Sequence, residues 1–172
     1  SVLLSFKYKT ALGGIRFEVC EYDLCSRCIV SRLQLSAAIT HAIYVRDRGP
    51  EDANVAVAFS SGSFELWSSV TGKLHSSWSP VSKSDNRTCI AFEYSPVVHS
   101  LIFSRSEGTL ELFALPGMVD GAHGQKESGD VKWQDLGRPV CIAPSVFRDF
   151  VAVGYQSGQL QIWTTKTKMS DK

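Results

Sequence analysis

Apolar residues along the chain either alternate with polar ones or gather in short runs, and no window of about eleven residues keeps a 3.6-residue period. That pattern predicts strands and no helix. Asn54–Phe59 (NVAVAF), His99–Phe103 (HSLIF) and Asp149–Tyr155 (DFVAVGY) are β-branched or aromatic runs bounded by Ser, Gly and Asp, the pattern of strands buried on both faces. Each run is followed by one phrase: glycine, polar, apolar, polar, apolar, aromatic. It reads Gly62 to Trp67, Gly108 to Phe113 and Gly158 to Trp163. Run and phrase together predict a hairpin. Glycine holds a fixed place in it because a tight turn there requires positive φ, which is costly for any residue with a Cβ.

The three glycines are 46 and then 50 residues apart, a period that marks a repeat architecture. A strand precedes each hairpin at Ala38–Val45, Thr88–Tyr94 and Val140–Ala143. Another follows the first two, at Leu74–Trp78 and Val131–Leu136. The N-terminal stretch repeats the scheme without its opening strand: Val2–Tyr8, Ile15–Tyr22 behind Gly13-Gly14, and Cys28–Leu33, with Gly14 standing 48 residues before Gly62. With strands lettered a to d, the chain reads b-c-d, a-b-c-d, a-b-c-d, a-b-c. The expected units are 1–36 (incomplete), 37–79, 80–137 with a glycine-rich flexible insertion at 116–130, and 138–165 (incomplete), followed by a polar tail, 166–172. Arg46–Ala53 reads as a charged turn.

A composition of 44% hydrophobic and 20% charged residues is that of an ordinary globular chain. A net charge of +1 provides no bulk field to draw nucleic acid or an anionic membrane. No apolar run approaches the roughly 20 residues of a membrane helix. Five cysteines form no regular framework, which fits an intracellular, reducing compartment better than a disulfide scaffold.

A repeat of this length, with a glycine turn and a closing aromatic on strand c, resembles the WD-repeat β-propeller family, and the resemblance covers nearly the whole chain. It implies an all-β fold, a partial propeller of four-stranded antiparallel blades. Gly62, Trp67, Gly108, Phe113, Gly158 and Trp163 would be structural blade residues. Cys20 would fill the tryptophan slot of the first unit if its turn held one extra residue. The family's aspartate after the tryptophan is replaced by Ser68, Ala114 and Thr164, and its Gly-His pair is absent, so this is a divergent member resting more on apolar packing. Three and a half blades look like the C-terminal half of a propeller. The expected partners are therefore the missing half, other protein subunits, or another copy paired through open blade edges.

The resemblance also places the b-c turns and d-a connections on one rim. There Phe59, Arg105 and Tyr155, each three residues before a turn glycine, with Lys83 and Arg87 of the 79–87 connection, are candidate partner-binding residues. Cys20, Cys25 and Cys28 have a C-x4-C-x2-C spacing also used for iron-sulfur ligation, but no fourth ligand is in view, so packing and turn roles are the expectation. Cys89 and Cys141, each in Cys-Ile-Ala, read as equivalent core residues. The histidines are not at zinc spacing, and no nucleophile elbow or phosphate loop occurs. The expectation is a non-catalytic interaction scaffold without metal, cofactor or membrane attachment. The alternative is a ribonucleoprotein module making weak RNA contact through Lys7, Lys9 and Arg16 with Tyr8 and Phe17 nearby.

Overall fold

The computed structural model describes residues 1–45, 54–79, 89–105, 110–115, 126–127 and 137–164. Among these are fourteen strands and no helix. The strands form four antiparallel sheets, each a meander in which chain neighbours pair. The first sheet holds β1 (Val2–Lys9), β2 (Ile15–Asp23) and β3 (Cys28–Leu35). The second holds β4 (Ile39–Val45), β5 (Asn54–Phe59), β6 (Phe64–Ser68) and β7 (Leu74–Trp78). The third holds β8 (Cys89–Ser95), β9 (Ser100–Arg105), β10 (Leu110–Ala114) and β11 (Lys126–Glu127), and the fourth β12 (Pro139–Pro144), β13 (Phe150–Tyr155) and β14 (Leu160–Thr164). No described helix is long and apolar enough to cross a membrane.

The chain divides into two compact units, Ser1–Cys89 and Ile90–Lys172. In the first, alternate residues of β5, namely Val55, Val57 and Phe59, pack with Trp67 against Val19, Leu33 and Leu35 of the first sheet, joined by Leu3 and Phe17. In the second, Val151, Val153 and Tyr155 of β13 pack with Ile142 and Trp163 against Ala91, Ile102 and Leu112 of the third sheet. Successive residues of a strand face opposite ways, so the same rule operates twice. The face carrying Val55 and Val151 is called the front of its sheet; it rests on the back of the sheet before it.

The turn glycines carry the expected backbone. Gly62 and Gly158 have φ of +79° and +83° and donate N–H to the carbonyls of Phe59 and Tyr155, each at 2.9 Å. In the first sheet the same role belongs to Gly13, with φ of +83° and its N–H on the Thr10 carbonyl at 2.9 Å, rather than to Gly14. The turn therefore has no extra residue. Counting five from each glycine puts Glu18, not Cys20, where Trp67 and Trp163 stand in their sheets. The strand expected at Val131–Leu136 lies outside the described residues, as do Arg46–Ala53 and the 166–172 tail; β10 pairs with Lys126 and Glu127, inside the segment read as an insertion.

One buried polar group ties the third sheet, and a half-buried carboxyl stands beside it. Ser104 Oγ accepts the Ala91 N–H at 3.1 Å, satisfying a donor inside the core. Glu93 on β8 is held above the usual carboxylate range by burial. A carboxyl whose folded pKa is raised costs stability once the pH exceeds its unfolded value, and that cost is complete above the folded value. Glu93→Gln should therefore raise the unfolding midpoint at neutral pH, with the gain fading to nothing as the pH falls below the ordinary glutamate range, in a pH series of thermal melts. Ile102→Ala, at a fully buried site, should cost about 2–5 kcal/mol in denaturant unfolding. Leu12→Ala, on an exposed turn, should stay within about 0.5 kcal/mol.

Candidate functional site

Of the candidate rim residues, the two with described side chains, Phe59 and Tyr155, are buried. They are packed inside the two inter-sheet cores, and burial pushes the Tyr155 phenol above its usual range. The Arg105 side chain, Lys83, Arg87 and Gly108 lie outside the described residues. Phe113 is buried, and Trp67 packs on the first core while its indole N–H donates to Glu65 Oε2 at 2.9 Å.

The basic cluster on the first hairpin is divided by the pleat. Lys7 and Lys9 stand opposite Phe17 and Ile15, whereas Tyr8 stands opposite Arg16 on the other face. Cys141 is exposed, not buried like Cys89. It lies on the back of the fourth sheet, where the described residues provide no covering layer.

The surface with the most built character is the front of the first sheet. Its pairing rows are Tyr8 with Arg16, then Phe6, Glu18 and Gln34, then Leu4, Cys20 and Arg32. Phe6, Tyr8, Glu18, Cys20, Ile29, Arg32 and Gln34 line an open cleft of about 650 Å3. Val2, Leu4, Phe6 and Tyr8 form an exposed apolar ridge along β1. Beside it runs a polar ladder. Arg16 donates from Nη1 to Gln34 Oε1 at 3.1 Å, and Arg32 Nη1 lies 3.7 Å from the Glu18 carboxylate. Glu18 is buried although this face is open, and its partner is solvated, so the pair fixes orientation more than it stabilises. The Cys20 thiol beneath is pushed up by burial first and by the Glu18 charge second, with Arg32 opposing. The raised pKa makes the Cys20 thiolate scarcer than that of an exposed cysteine. The arrangement can hold an apolar or aromatic surface and align it by hydrogen bonds.

Cys25 and Cys28 flank the β2–β3 turn and are exposed. Asp23 organises that turn: its Oδ2 accepts the Ser26 hydroxyl at 2.6 Å and the Ser26 N–H at 3.0 Å, and its Oδ1 accepts the Cys25 N–H at 3.3 Å. These bonds, the hydroxyl first, hold the Asp23 carboxyl below its usual range. Among the described residues no three His, Cys, Asp or Glu side chains form a group able to hold a metal ion. Under native conditions a maleimide should label Cys25 and Cys28 promptly and Cys20 only on unfolding, as read by peptide mass spectrometry; prompt labelling of Cys20 would contradict its buried placement.

No protein-family model matches the chain, and no curated protein does. Solved structures do resemble it. The computationally designed Ika4 protein superposes with a TM-score of 0.60 at 14% identity, over 88% of this chain and 80% of that one. The Myceliophteria thermophila Cps50 (Swd1) β-propeller domain gives 0.62 at 13% identity, over 95% of this chain and 54% of the domain. Chaetomium thermophilum Raptor gives 0.62 at 12% identity, over 90% of this chain and 15% of that protein. The chain thus spans about half of the Swd1 domain and a small part of Raptor. At such identities the likeness shows the fold: an all-β chain whose antiparallel sheets are blades of the β-propeller kind.

Proposed function

We propose that this chain is a non-catalytic protein-interaction scaffold within a larger intracellular assembly, and a divergent relative of WD-repeat propellers. The observation that carries this reading is the uncovered front of the first sheet, where Leu4, Phe6 and Tyr8 stand exposed beside an ordered polar ladder. A contiguous apolar face bordered by aligned polar groups is the composition of a protein interface. The recurrence of the glycine turn and the closing aromatic supports the family relation, and the propeller likeness supports the scaffold role by analogy of fold. Arg105, Lys83 and Arg87 complete the proposal as rim contacts for a second partner.

Cross-linking and mass spectrometry on the native assembly test it. The expected result is cross-links from residues of the first sheet or the rim connections to proteins of different sequence. Recovery of RNA adducts in their place, with affinity for single-stranded RNA falling steeply as salt rises, would overturn it in favour of a ribonucleoprotein module.

A further inference from the structure

The turn that joins β2 to β3 is built twice in the first unit, once with cysteines and once without. Asp23 to Cys28 and Ser68 to Lys73 follow paired rows of the same kind: Tyr22 stands opposite Ile29, Trp67 stands opposite Leu74, and in both the register shifts by one residue at the next row. The polar cap is shared. Asp23 Oδ2 accepts the Ser26 N–H at 3.0 Å, and Ser68 Oγ accepts the Thr71 N–H at 3.1 Å. Left-handed backbone falls at matching places, with φ of +55° at Arg27 and +65° at Gly72. Val70 and Lys73 therefore stand where Cys25 and Cys28 do.

The second turn shows that this backbone requires no cysteine at either place. Packing requires none either, because Cys25, Cys28, Val70 and Lys73 are all exposed and neither cysteine belongs to the inter-sheet core of the unit. What the first turn has in addition is two thiols within one chain reversal. Residues three apart in such a reversal have Cα atoms under about 7 Å apart, a span that a disulfide bridges. The Cys28 sulfur is also turned toward the loop. Its Sγ lies 3.0 Å from Ser26 Oγ, and because the single hydroxyl hydrogen of Ser26 goes to Asp23 Oδ2 at 2.6 Å, the thiol is the donor in that contact. Ser26 directly follows Cys25 in the chain.

We infer that Cys25 and Cys28 form a reversible dithiol site, oxidised to a disulfide within the turn by small-molecule disulfides such as oxidised glutathione. The thiolate of one cysteine attacks the small disulfide, forming a mixed disulfide and releasing one small thiol. The second cysteine's thiolate then attacks the protein-side sulfur, which closes the Cys25–Cys28 bond and releases the other small thiol. Two electrons pass from the protein dithiol to the small disulfide, and the two thiol protons end on the released thiols. Closure is favoured because the second thiol is present at high effective concentration. Buried Cys20 takes no part. The exchange does not depend on which partners the scaffold takes.

Thiol trapping read by peptide mass spectrometry tests this on the folded chain. Reduced protein is equilibrated with mixtures of reduced and oxidised glutathione, quenched with acid and maleimide, and cut with trypsin, which cleaves after Arg27. Peptides 17–27 and 28–32 should stay joined through Cys25 and Cys28, and should separate once excess reduced glutathione is restored. Cys25→Ser should instead keep a glutathione adduct on Cys28, half-formed only at about tenfold more oxidised glutathione than closes the wild-type pair. Cys28→Ser should do the same on Cys25. Separate adducts on both wild-type cysteines, joining through Cys20, or closure that needs as much oxidised glutathione as the single-cysteine adducts would overturn the inference. Should a variant lose its wild-type circular dichroism, the wild-type peptides decide alone: joined through Cys25 and Cys28 they uphold the site, and separately adducted they overturn it.

Discussion

Burial of the inner strands on both faces governs this fold. A strand such as β5, with Val55, Val57 and Phe59 on one side and Ala56 and Ala58 on the other, has no face that water can occupy cheaply. Stacking the front of one sheet on the back of the sheet before it covers one of these faces within each unit and dictates much of the rest. The turn must bring the next strand straight back, the closing aromatic must lie along the same face, and polar groups that enter must find partners, as Ser104 does with the Ala91 N–H. Nothing in this logic calls for a reactive group.

Most of the fold was legible because two-sided burial writes itself into sequence as unbroken runs such as VAVAF, and positive φ writes itself as glycine. The errors arose where one residue's identity was asked to settle register. Gly13 and Gly14 are indistinguishable in sequence, and the positive φ of Gly13 together with its N–H on the Thr10 carbonyl decides between them. Counting from Gly14 and allowing one extra residue in the turn places the tryptophan slot at Cys20 instead of Glu18. Cys141 shares its local sequence with Cys89 yet is exposed, because what covers a strand is a long-range fact.

The site was less legible. Phe59 and Tyr155 end their strands, yet the neighbouring sheet reaches far enough to bury them. The open front of the first sheet gave no warning in VLLSFKY, which reads like any other strand of the set. A signal was present at Glu18, a carboxylate where two other repeats have tryptophan, since a charge in an inter-sheet slot needs either a partner or access to water. The basic residues near it are separated by the pleat, a distinction that adjacency in sequence conceals.

The ladder of Arg16, Gln34, Glu18 and Arg32 has a consequence for how the chain is made. Every sheet is a meander, so pairing is local and each sheet can form soon after its last strand leaves the ribosome. Of the four, the first sheet is translated earliest, and its back is covered as soon as β4 to β7 emerge. Its front gains no cover from later strands of its own unit, so Phe6 and Tyr8 stay wet through the synthesis of that unit. Charged residues set beside that apolar ridge act as gatekeepers against sticking to other nascent chains. The inner fronts, covered within their own units, keep their valines and tryptophans.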